Sequence, residues 1–190
     1  IQFAGIVETE VSSPPNFTAY ANYFPPRISG TQYNASLKYF KKILQSLEFN
    51  NCAFHCELKL NRNKPFLIEI ACRPPGGRIL EGYKLAYGID FMEALLDLWL
   101  GNTVSLEKKQ SRYINQSGIF SEKRGELKSI RGIGKLKKMQ GMHEITRVLN
   151  AGDEIITYPN TPVPVYYFSV EASSIQELEN KIKLIKQTVI

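Results

Sequence analysis

Several things are scarce in this chain of 190 residues, and each scarcity removes a class of function. No apolar run approaches the roughly 18 residues that a membrane-spanning helix needs, so a membrane partner is not expected. No stretch reads as a signal peptide. There are three cysteines, Cys52, Cys56 and Cys72. An odd count without a disulfide framework favours a reducing, cytoplasmic setting. Cys/His zinc spacing, a nucleophile elbow, an internal repeat and a low-complexity tract are all missing. The one glycine-rich element, Pro74-Pro75-Gly76-Gly77, is far from a Walker-type loop.

What is there reads as a soluble α+β protein. The net charge of +6 is uneven: residues 101–150 hold eleven Lys or Arg against four Glu, a balance of +7. That segment lacks interleaved aromatics and a nucleic-acid motif, so a solvated face or a surface attracting phosphate-bearing ligands is expected, not a nucleic-acid interface. The chain begins at Ile1 in what reads as the middle of a strand, and a longer parent protein is expected.

The stretch Cys52–Ile79 is the most informative. It predicts two strands, 52–60 and 66–73, joined by Asn61-Arg62-Asn63-Lys64. Setting Leu60 opposite Phe66 places Glu57 opposite Glu69. With side chains alternating, one face carries Ala53, His55, Glu57, Lys59, Leu67, Glu69, Ala71 and Arg73. The other carries Phe54, Cys56, Leu58, Leu60, Phe66, Ile68, Ile70 and Cys72 and is expected to face the core. Like charges directly opposite destabilise a sheet. A bound cation would offset this, and Mg²⁺ needs only one or two carboxylates when phosphate oxygens and water complete its shell. Lys59 or Arg73 neutralising the acids in an ordinary hairpin is the alternative. Gly76 and Gly77 bring free backbone N–H groups before a helix, a workable anion cradle.

These residues resemble the ATP-grasp superfamily. There a His-x-Glu strand precedes a strand reading Ile-Glu-x-Asn-x-Arg and a glycine pair. Here the matching residues are His55-Cys56-Glu57, Ile68-Glu69-Ile70-Ala71-Cys72-Arg73 and Gly76-Gly77-Arg78. The resemblance implies ATP and Mg²⁺ as cofactors, with Glu57 and Glu69 as metal ligands. It implies a catalytic Arg73 that stabilises the phosphoryl group or acyl-phosphate. Gly76, Gly77 and Arg78 would contact substrate or nucleotide, and His55 would orient Glu57. Ala71 stands where the family has Asn, which puts a second metal site in doubt. The match covers only the distal half of such a protein. The first ATP-binding lobe would come in cis or from a partner subunit, and homo-oligomerisation is left open. The implied activity is ATP-dependent ligation of a carboxylate to an amine, both small molecules. The alternative is a non-catalytic nucleotide- or partner-binding module derived from such a protein.

Along the rest of the chain, strands are expected over 3–11 and 17–24. A helix is expected over 31–47 with Leu37, Phe40, Leu44 and Leu47 on one face. Two further helices follow: 79–87, stopped by Gly88, and 91–100, capped by Asp90 and closed by Gly101. Trp99 is expected in the core. Beyond Gly101 the pattern predicts strands over 113–121, 126–131, 143–149, 154–158 and 163–172. A last helix, 174–187, has Ser174 as cap and Glu177 at the capping-box position. His143 is expected to be a strand or surface residue. The fold class expected is an antiparallel sheet with packed helices (residues 1–101), the second lobe of an ATP-grasp domain, then a small β-rich C-terminal lobe (102–190).

Overall fold

The computed structural model describes residues 2–47 and 51–189; Ile1, read above as lying in mid-strand, is outside them. The elements in order are β1 (Glu8–Val11), β2 (Ala19–Phe24), α1 (Gly30–Leu47), β3 (His55–Asn61), β4 (Lys64–Ala71), α2 (Ile79–Tyr87) and α3 (Phe91–Leu100). They continue with β5 (Tyr113–Ile119), β6 (Gly125–Glu126), α4 (Ile133–Leu136), β7 (Met142–Arg147), β8 (Glu154–Ile155), β9 (Tyr166–Ala172) and α5 (Ile175–Thr188). The expected α+β class is what the chain adopts, with antiparallel pairing throughout.

The main sheet runs β1-β2-β5-β9-β7 and so draws strands from both sides of Gly101. Alternation divides its side chains between two faces. Ala21, Tyr23, Phe168 and Val170 point to the face that α5 covers with Leu178, Ile182 and Ile185, and together they form the larger core. Phe24 and Ile114 point the other way and meet Tyr83, Ala86 and Tyr87 of α2. The capping residues act as their types require. Asp90 accepts from the Met92 and Glu93 amides, Gly88 and Gly101 close their helices in the left-handed region, and Ser174 accepts from the Glu177 amide. The Glu177 carboxylate returns to the Ser173 amide and hydroxyl, one residue earlier than the expected box.

The hairpin β3–β4 is a separate two-stranded sheet, with α1 lying against it. Its register departs from expectation at one point. Glu57 pairs with Glu69, but Leu58 then pairs with Leu67, so Ile68 is an extra residue in β4. A one-residue slip exchanges the faces of everything beyond it. Phe66 therefore sits opposite Lys59, not Leu60. Phe66 is 49% and the bulged Ile68 62% exposed, where the unbroken register puts both in the core; Leu67 between them is 39% exposed, so this end of β4 has no cover on either face. The turn is correspondingly tighter, two residues long, with Arg62 at φ +56°.

Three further expectations are corrected. Cys72 is exposed, because β4 ends at Ala71 and the strand alternation that would turn Cys72 inward stops there. Trp99 is 70% exposed: α3 buries Ala94 and Leu95 on one side and leaves Met92, Leu96, Trp99 and Leu100 on the other. Helical periodicity marks an apolar stripe without saying which stripe finds a neighbour. The strand expected over 126–131 is only Gly125–Glu126; the chain beyond it is irregular, with Ile130 packed on the larger core, until α4 begins at Ile133.

Candidate functional site

The site is built on β3, β4 and the loop that follows. Backbone pairing of Glu57 with Glu69 brings two carboxylates face to face, each side chain 56% exposed. Near water their repulsion is about 1 kcal/mol at contact range. The hairpin tolerates that cost; burial would have made it prohibitive. One neighbour stands beside each acid. His55 Nε2 lies 3.4 Å from Glu57 Oε1, with the imidazole largely buried. Arg73 Nη2 lies 3.8 Å from Glu69 Oε1, while its Nη1 donates to the Pro74 carbonyl at 3.0 Å. Ala71 sits directly opposite His55. On the other face of β3, burial and the adjacent Glu57 carboxylate push the Cys56 thiol up to about 11.

The loop after Arg73 leaves room for a ligand. A Cβ at Gly77, whose φ is +62°, would meet nothing within 4 Å; at Gly76 it would meet only Arg73 Nη1, at 4.0 Å. Open glycines beside an arginine and a carboxylate pair suit a charged group that approaches the backbone closely. Among the described residues no group of three or more His, Cys, Asp or Glu side chains is placed to hold a metal. Any cation here would take Glu57 and Glu69 and complete its shell from ligand oxygens and water. Two carboxylates alone suit a hard cation that keeps ligand or water oxygens, not a zinc or calcium cage.

Arg78 has a different setting from its neighbours. It is the N-cap residue of α2, and its guanidinium is engaged by the main sheet. Nη2 donates to Ser169 Oγ on β9 at 2.8 Å and to a Glu144 carboxylate oxygen on β7. Nε is 3.4 Å from Glu81, and the group lies beside the Tyr167 ring. Nη1 is buried without a partner. Glu144 and Ser169 face each other in register, and Gln116 of β5 is the next residue along the same row. Glu144 and Ser169 are 66 and 91 residues from Arg78. Sequence reasoning missed both, and no local signal marks them; only the strand order brings them together.

His143 is where a strand histidine belongs. Its Nε2 lies 2.7 Å from Glu171 Oε2, which also accepts from Arg112 at 2.7 Å. Burial alone would raise the Glu171 carboxyl, but the Arg112 and His143 hydrogen bonds outweigh it and hold it low.

No protein-family model matches the chain. Alanine–anticapsin ligase from Bacillus amyloliquefaciens is 33% identical over 94 residues, which is 48% of this chain and 20% of that protein. Phosphoribosylglycinamide synthetase from Anaerococcus prevotii superposes with a TM-score of 0.80 at 21% identity, over 97% of this chain and 48% of that one. L-Amino acid ligase from Bacillus licheniformis does so with a TM-score of 0.80 at 21% identity, over 94% of this chain and 45% of that one. The chain has the ATP-grasp fold. It spans 32% or less of the length of the curated relatives it matches, and less than half of each of these two ATP-grasp structures. Among the described residues, no helix is long and apolar enough to cross a membrane.

Proposed function

We propose that this chain supplies the metal and acceptor side of an ATP-dependent carboxylate–amine ligase. The observation that carries the reading is the Glu57–Glu69 pair, flanked by Arg73 and followed by the open Gly76–Gly77 loop. Likeness in fold to ATP-grasp ligases supports it, as does the partial identity to alanine–anticapsin ligase.

Glu57 and Glu69 would hold Mg²⁺, which when bound neutralises charge on the ATP phosphates. His55 fixes Glu57 from the side, so that its carboxylate is presented in one orientation. Arg73, half exposed and only loosely paired with Glu69, is free to turn its fork onto a carboxylate or phosphoryl oxygen. The Gly76 and Gly77 amides donate to the same ligand group, and the absence of a Cβ lets it approach the backbone. Catalysis of this kind rests on positioning and on neutralising charge as it develops. Activation of the carboxylate as an acyl-phosphate, followed by attack of the amine nitrogen and loss of phosphate, is the reaction such a set serves.

The test is trapping. Full-length protein is incubated with Mg²⁺, ATP and each of the twenty amino acids in turn, with hydroxylamine as nucleophile. Hydroxamate and inorganic phosphate formed together support carboxylate activation. Neither product with any carboxylate sinks it. A second reading, a module that binds nucleotide without chemistry, is favoured by one residue, Ala71, which offers no ligand opposite His55. It predicts saturable Mg²⁺-ATP binding with no phosphate release.

A further inference from the structure

We infer that Arg78 is a positioning residue, which fastens the Pro74–Gly77 loop to the main sheet through Glu144 and Ser169. The inference deepens the ligase reading and, for its kinetic part, rests on it.

Beyond the packing of α2, into which it leads, the loop has little to hold it. Pro74 and Pro75 have no N–H to donate, and Gly76 and Gly77 are exposed. Arg73, at its start, bonds only within the hairpin and to the Pro74 carbonyl. Arg78, at its end, is mostly buried and reaches two strands at once. The hairpin and the main sheet share no strand. The packing of α2 sets the depth of approach, and the guanidinium, reaching β7 and β9, sets how the end of the loop is turned toward the sheet.

Packing does not account for this arrangement. A buried donor without a partner destabilises a fold, and Arg78 Nη1 is such a donor. An aliphatic residue capping α2 would avoid that cost. What the fork supplies is direction: a planar group held from two strands has one orientation, whereas lysine offers a point charge. Because Glu144 and Ser169 pair directly across β7 and β9, their spacing is fixed by the sheet ladder, and the loop inherits that rigidity.

Three variants of the full-length protein test this: Arg78→Lys, Glu144→Gln and Ser169→Ala. The first readout is the backbone ¹⁵N order parameter at Gly76, Gly77 and Arg78, compared with β5. All three variants are expected to lower it in the loop from the rigid range, about 0.85, to below about 0.6, with β5 and Tm unchanged. The second is phosphate release with the amino acids that support turnover. KM for the carboxylate should rise by about tenfold, with KM for Mg²⁺-ATP unchanged. Unchanged loop order parameters in all three variants would overturn the inference. So would a fall in Tm and in active fraction with KM intact, the mark of a merely structural arginine. If the wild type releases no phosphate with any amino acid, the ligase reading fails and the order parameters alone decide the positioning role.

Discussion

Gly82 of α2 packs directly against the buried ring of Phe24 on β2. A Cβ at position 82 would lie 2.3 Å from Phe24 Cζ and 2.9 Å from Gln116 Oε1. Phe24 is fully buried and has no room to give. This contact sets how closely α2, and with it Arg78, approaches the main sheet. Gly82→Ala, which raises helix propensity, should nonetheless destabilise the protein by about 1–3 kcal/mol through overpacking. Urea unfolding of the variant measures it, and a gain in stability would show that α2 sits less tightly than described.

The bulge at Ile68 predicts which apolar residues of the hairpin region matter. Phe66→Thr and Ile68→Thr, at exposed positions, should change stability by no more than about 0.5 kcal/mol. Leu44→Ala, at a position of α1 that is only 8% exposed, should cost about 2–5 kcal/mol. Thermal unfolding of the three variants decides. A loss at Phe66 comparable to that at Leu44 would mean that the unbroken register, with Phe66 opposite Leu60, is the right one.

Glu177 gives a pH dependence with a definite sign. The Lys181 ammonium, then Ser173, hold its carboxyl at about 2, below the ordinary 4.5. A carboxyl lowered in the folded state contributes stability above its unfolded pKa and loses it as pH falls through the folded one. The wild type should therefore be more stable than Glu177→Gln at neutral pH, with the gap closing between pH 4.5 and about 2. Melting curves across that range test it; a gap that is constant or widens on acidification contradicts the assignment.

Local chemistry in the sequence was a good guide to local structure and a poor one to what covers what. Asp90, Gly88, Gly101 and Ser174 mark their helix ends where the structure has them, because a cap depends on a few neighbouring atoms. The facing of Glu57 and Glu69 was legible for a similar reason: two short strands and a turn leave few registers. Ile68 was not, since Phe66, Leu67 and Ile68 are all apolar and a run of three gives the alternation nothing by which to mark an inserted residue. Trp99 and Phe66 were misplaced because hydrophobicity says that a side chain prefers cover, not that a neighbour is there to provide it. The partners of Arg78 lie on strands that only the order β5-β9-β7 brings beneath α2. No spacing in the chain encodes them.

The most direct test of the central claim is Mg²⁺-dependent phosphate release from ATP by full-length wild type, Glu57→Ala and Glu69→Ala, each given the full amino-acid panel. Loss of a metal-holding carboxylate should lower turnover by a factor on the order of 100 or more and raise the Mg²⁺ concentration needed for half-maximal rate, with Tm unchanged or slightly higher as the facing charges are relieved. Turnover unaltered in Glu69→Ala, at any Mg²⁺ concentration, would contradict the account and leave the Glu57–Glu69 pair as surface charge on a hairpin.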